Sequence, residues 1–234
     1  MAGNAVPGFL PSRHGLRFTN YWGSGPARQW DLGMLHLGIG NPARGLCGGM
    51  AFVVRDRFER GQEAPAEGAP PAAGTPLFRA IVDRQFDSFG RFWTVPLRFW
   101  LSSALAGERR RLLDSVRVAW PRVRADIDAG RLSTLGLVRE AGWNPLSTGM
   151  GHQVLAHRYD VTPERIAIGV YDPNHPGRDD VEIVAERGHG GEIRLSQSTG
   201  EDCLALLHLP YVPPRDGPPP DAPPPSPDAA PANP

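Results

Sequence analysis

The apolar residues of this chain change their period near residue 130, and that change bounds the fold more tightly than any other feature. Upstream they recur at helical spacing. Met50, Val53, Val54 and Phe58 lie three or four apart within Cys47–Phe58, and Leu77, Ile81, Val82 and Phe86 repeat the pattern within Leu77–Phe89. Phe92–Leu105 is aromatic-rich and reads as a further helix. Leu112, Leu113, Val116, Trp120, Val123 and Ile127 form one stripe along Arg109–Ala129, where Pro121 predicts a kink or a break into two helices. Downstream the runs are short and bounded by Gly, Pro, Asp or Asn. They are Leu132–Arg139, Gln153–Tyr159, Arg165–Tyr171, Asp180–Ala185, Glu192–Ser196 and Leu204–Tyr211. Helices first and strands second predict an α+β fold, a helical layer packed on a mostly antiparallel sheet.

Two stretches stand outside this pattern. Residues 60–76 are low in complexity and read as a surface loop within the domain, because regular patterns resume on both sides. Residues 213–234 hold 11 prolines among 22 positions and little that is apolar, so they read as a disordered tail. The expected organisation is one domain over residues 1–212 followed by that tail.

Charge narrows the partners. Twenty-five basic residues, all arginine, balance 25 acidic ones. A general nucleic-acid binder needs a cationic excess, so neither nucleic acid nor a membrane is expected as partner. No run approaches the roughly 20 apolar residues of a membrane-spanning helix. Met1–Pro11 lacks the basic start and apolar centre of a signal peptide, so the expected compartment is the cytoplasm. The chain has two cysteines, too few for a disulfide framework, and there a free thiol is judged by its reactivity.

Cys47 is the thiol in the more reactive setting. It lies in Gly45-Leu46-Cys47-Gly48-Gly49-Met50, where a glycine-rich loop gives way to a helix. A helix N-terminus carries about half a positive charge and free N–H groups, which favour a thiolate and can hold an oxyanion. Gly48 and Gly49 are expected to leave room for a substrate beside the sulfur. Cys203, opening an apolar strand, reads as core. A nucleophile needs a base that is close in space, and His152 opens the strand Gln153–Tyr159. The following strand ends in Tyr171-Asp172-Pro173-Asn174. On antiparallel neighbours the start of one strand lies beside the end of the next, so Asp172 or Asn174 reaches His152 and orients it.

This order and setting resemble the papain-like cysteine peptidases, and most nearly the bacterial double-glycine peptidases that process bacteriocins. The resemblance rests on three short anchors across residues 38–185: the Cys47 loop, Gly151-His152-Gln153-Val154-Leu155-Ala156, and Val170-Tyr171-Asp172-Pro173-Asn174-His175. No Trp or Pro of the usual motifs follows Cys47. The resemblance implies a papain-like fold and a Cys47–His152–Asp172 triad, Asp172 being preferred to Asn174 for its Asp-Pro setting. It also implies an oxyanion donor six residues before the cysteine, where Asn41 stands in place of the usual Gln; Gln29 is an upstream substitute. The expected activity is that of a peptidase, amide hydrolase or acyltransferase acting on a peptide or protein, without cofactor. The rival expectation is a non-catalytic binding protein of the same fold. His152, His157, Asp172 and His175 are the candidate metal ligands of the sequence. The spacing of His152 and His157 sends them to opposite faces of a regular strand, so no metal is expected.

Overall fold

The structure is a computed structural model. It describes residues 2–22, 28–32, 35–39, 45–90, 94–140, 151–188, 190–201 and 203–214. The fold is α+β. A seven-stranded sheet is built from β1 (Ala2–Ala5), β4 (Ser133–Val138), β5 (Gly151–Val161), β6 (Arg165–Tyr171), β7 (Glu182–Arg187), β8 (Ile193–Gln197) and β9 (Ala205–His208). Its order is β8-β7-β6-β5-β4-β9, every pair is antiparallel, and β1 pairs with the second half of β5. The helices come mostly from the first half: α1 (Pro11–His14), α2 (Cys47–Glu59), α3 (Pro76–Ser88), α4 (Thr94–Ala104), α5 (Glu108–Asp114) and α6 (Trp120–Asp128).

The first half also contributes strands that helical periodicity did not announce. β1 joins the main sheet, and β2 (Arg28–Leu32) pairs with β3 (Leu35–Ile39) as a separate hairpin. Ala2–Ala5 carry no apolar alternation, whereas Leu35, Leu37 and Ile39 of β3 alternate at strand spacing over a short run. Residues 63–75 form neither helix nor strand. The tail beyond residue 214 lies outside the described residues.

α2 is the helix around which the site is built. Gly48 to Arg57 are all buried, as expected of a helix enclosed by neighbours. It packs between α3 and β5. Met50, Val53 and Val54 are inaccessible to solvent, and join Ile81 of α3 with Val154, Leu155 and Tyr171 of the sheet in one core. Even its charged turn is enclosed. Asp56 accepts Arg84 Nη2 at 2.9 Å and the Tyr211 hydroxyl at 2.6 Å, with Arg84 Nε at 2.8 Å from its other oxygen. This cluster ties the C-terminal segment to the helical layer.

Close helix–helix and helix–strand approach explains the glycines after Cys47. A Cβ on Gly48 would lie 2.2 Å from Ser88 Oγ and 2.8 Å from the Gln153 amide, and one on Gly49 would lie 2.0 Å from the Ile81 carbonyl oxygen. These glycines therefore seat α2 against α3 and β5, which corrects the expectation that they open space for a substrate. The cost of glycine in a first turn, about 1 kcal/mol each, is offset by the packing it permits.

Pro121 acts one turn earlier than a simple kink. α5 and α6 run on through a π-helical turn at Ser115–Ala119, where the Trp120 N–H reaches back to the Ser115 carbonyl. In α register the Arg117 carbonyl would need the N–H of residue 121, which proline lacks, so the helix widens there. Among the described residues no helix is long and apolar enough to cross a membrane.

Candidate functional site

The pairing of β4, β5 and β6 fixes where the histidine and the acid stand. His152 lies opposite Leu137 of β4, and Leu155 lies opposite Tyr171, the last residue of β6. The chain leaves β6 at Asp172, beside the start of β5. α2 then brings its first residue, Cys47, to the same place, where the Gln153 backbone N–H donates to Cys47 Sγ at 3.4 Å. His152 stands close enough to Cys47 for its hydrogen bonding and charge to act on the thiol, and His152 Nε2 lies 2.7 Å from Asp172 Oδ1. With Nε2 engaged by the carboxylate, Nδ1 is the ring nitrogen left for the sulfur. The structure thus brings Cys47, His152 and Asp172 into one line.

The acid is enclosed and fully engaged. Asp172 is 1% exposed. Besides His152, its Oδ1 accepts the Asn174 N–H at 2.8 Å and its Oδ2 accepts Gln197 Nε2 at 2.9 Å. Asn174, the alternative third member, thus serves the acid through its backbone. Gln197 is itself held by Arg139 Nη2, which donates to its Oε1 at 2.7 Å and stands 3.9 Å from Asp172 Oδ2. Burying a carboxylate costs several kcal/mol, and charge-assisted hydrogen bonds return about 1.5–3 kcal/mol each. Burial therefore pushes the Asp172 carboxyl up. The His152 charge and hydrogen bond, together with those from Asn174 and Gln197, outweigh it and hold the group ionised well below the usual carboxylate range.

The acid in turn tunes the imidazole and the thiol. Burial alone pulls His152 down, but the Asp172 charge and hydrogen bond more than compensate, aided by Cys47, and raise it well above its ordinary value. Burial pushes the Cys47 thiol up. Its hydrogen bond to His152, the histidine's charge and the Gln153 N–H reverse this and leave it lowered. A thiolate beside an imidazolium is the state these shifts favour.

The start of α2 adds to the field at the sulfur. Leu46, which precedes Cys47, offers no capping side chain. The third N–H of the helix, that of Gly49, is capped instead by Gln85 Oε1 of α3 at 2.9 Å. No described residue accepts from the amides of Cys47 and Gly48. These two N–H groups sit at the positive end of the helix, where an oxyanion formed on an attacked carbonyl would develop.

Asn41 lies outside the described residues, and Gln29 lies on β2. The two remaining histidines of the metal constellation stand elsewhere. His157 occupies a β-bulge between Ala156 and Arg158 and packs at a tilt against Phe9, which meets Phe58 in the last turn of α2 edge to face. The two strand histidines therefore serve opposite ends of that helix, about 16 Å apart at 1.5 Å per residue. The bulge breaks the alternation on which the face argument rested. His175 pairs with Glu201. Among the described residues no three His, Cys, Asp or Glu side chains group as metal ligands.

Sequence reasoning missed Gln197, Arg139 and Gln85. Only folding gathers these residues, and none lies in a motif around the three anchors. No family model, no curated protein and no solved structure matches this chain.

Proposed function

We propose that this protein is a papain-like cysteine peptidase or amide hydrolase, with transfer of the acyl group to an amine open to the same residues. The observation that carries this reading is the line from the Cys47 sulfur through His152 to the buried, threefold hydrogen-bonded Asp172. A structural cysteine has no use for an imidazolium, and a structural histidine has no use for a thiolate.

In this reading the Cys47 thiolate attacks the carbonyl carbon of a peptide bond. A C–S bond forms, and the carbonyl electron pair moves onto oxygen. The N–H groups of Cys47 and Gly48 hold that oxyanion, with the Asn41 side chain as the further donor implied by the family resemblance. His152 gives its Nδ1 proton to the leaving amine as the C–N bond breaks, and a thioester remains on Cys47. Water, deprotonated by His152, then releases the acid and restores the thiolate. Asp172 keeps Nε2–H engaged throughout, so the proton that moves is the one on Nδ1. The cytoplasm remains the proposed compartment, and a peptide or protein the proposed substrate.

Alkylation by iodoacetamide between pH 4 and 9, with adducts located by peptide mass spectrometry, tests the reading. Cys47 is expected to be labelled well below pH 8 while Cys203 stays unmodified. His152→Ala should slow Cys47 labelling at pH 6 on the order of a hundredfold. Equal labelling of both thiols, unchanged by the substitution, would favour a non-catalytic binding protein instead.

A further inference from the structure

The nucleophile and the acid approach each other from different layers of the fold. Cys47 follows the Gly45–Leu46 segment on the helical side, and Asp172 precedes Pro173 on the sheet side. One residue joins the two segments. The backbone N–H of Asn20 donates to the Pro173 carbonyl at 3.0 Å, and Asn20 Oδ1 accepts the N–H of Leu46 at 2.6 Å. Each of these bonds ends on the residue adjacent to a member of the triad.

We infer that Asn20 is a positioning residue that sets the spacing between Cys47 and the His152–Asp172 pair. The inference rests on reading those three residues as the reactive centre. Three observations support a built connection. Leu46 has no side-chain cap of its own, so the approach to α2 depends on a donor–acceptor bond from another segment. Gly45 is shaped to that bond: a Cβ there would lie 2.0 Å from Asn20 Nδ2. The Asn20 backbone is itself bracketed by apolar anchors. Phe18 is 2% exposed, and Trp22 packs edge-on against both Phe18 and Phe78 of α3.

The side chain suits the place chemically. Asparagine accepts from Leu46 without charge. An aspartate would accept equally well but would set a negative charge near the sulfur and oppose the thiolate. Serine is too short to span the same gap from the same backbone position. A sulfur displaced by about 1 Å loses its hydrogen bond to the imidazole, and with it the stabilisation of the charged pair.

The test compares the pH profile of Cys47 alkylation by iodoacetamide in the wild type, Asn20→Ala, Gly45→Ala and the double variant. Urea unfolding serves as the control for fold. Each single variant is expected to move the profile up by about one pH unit, equivalent to an approximately tenfold slower reaction at pH 6. Because both act on one bond, the double variant should be no slower than either single one. Should Asn20→Ala fail to fold, Gly45→Ala carries the test, since it keeps the amide and only displaces it. An activated wild-type profile that the folded variants leave in place overturns the role of Asn20 alone. A wild-type Cys47 that titrates as an ordinary thiol overturns the proposed function and this role together.

Discussion

The two cysteines of this chain show how little burial alone says about a thiol. Cys203 is 5% exposed, and among the described residues its sulfur has the Ala205 carbonyl, at 3.9 Å, as its one hydrogen-bond partner. Burial pushes its pKa up to about 11. Burial pushes Cys47 in the same direction, yet its pKa falls. The difference is the partner set: an imidazole held cationic by a buried carboxylate, a strand N–H on the sulfur, and the positive end of α2. Desolvation acts on both thiols, and only Cys47 has charges close enough to reverse it.

If that contrast is carried by the Asp172 charge, Asp172→Asn should erode it most. The amide keeps an acceptor for His152 but removes the charge that raises the imidazole, so less imidazolium faces the sulfur. Cys47 labelling at pH 6 should slow on the order of a hundredfold, as for a shift of about two pH units. An unchanged rate would mean that the helix terminus alone activates the thiol. Gln197→Ala is a gentler disturbance. It removes one hydrogen bond from Asp172 Oδ2 and leaves Arg139 without its partner on Gln197. The expected result is three- to tenfold slower labelling at pH 6, with the profile displaced upward and its shape kept. The smallest effect should come from the other cysteine. Cys203→Ala leaves a small cavity in the core and should cost about 1 kcal/mol in urea unfolding. The Cys47 profile should stay within twofold of wild type; a larger change would show that the two environments are coupled.

Much of the fold was legible because periodicity reports which face of an element is buried. α2, α3 and the strands β4 to β8 stand within a few residues of where the apolar pattern put them, and their order is enough for an α+β fold. β1 and the β2–β3 hairpin were not legible. Ala2–Ala5 are exposed throughout, so no hydrophobic alternation marks β1; β3 does alternate, at Leu35, Leu37 and Ile39, but over five residues only, too short a run to stand out beside the helical periodicity that follows. The π turn was half legible: Pro121 announces that a helical hydrogen bond is missing, but not that the ring will widen before it. Gly48 and Gly49 seat α2 against α3 and β5 where a substrate was the expected neighbour. A glycine pair signals close approach, and sequence does not say whether a substrate or another helix is what approaches.

The candidate site divides the same way. Local sequence determined that Cys47 begins a helix, that His152 stands at the start of a strand and that Asp172 directly follows the next one, because each depends on nearby residues and on backbone pairing rules. Tertiary structure alone decided what surrounds them. Gln197 and Arg139 enclose the acid, Gln85 caps α2 from α3, and Asn20 joins two segments 26 and 153 residues away. Hydrogen bonds over such separations leave no periodic trace, since each needs only one polar side chain at one position. The charge state of Cys47 belongs with them. It is a balance between desolvation and nearby charges, and both are set by what packing brings within a few ångströms of the sulfur.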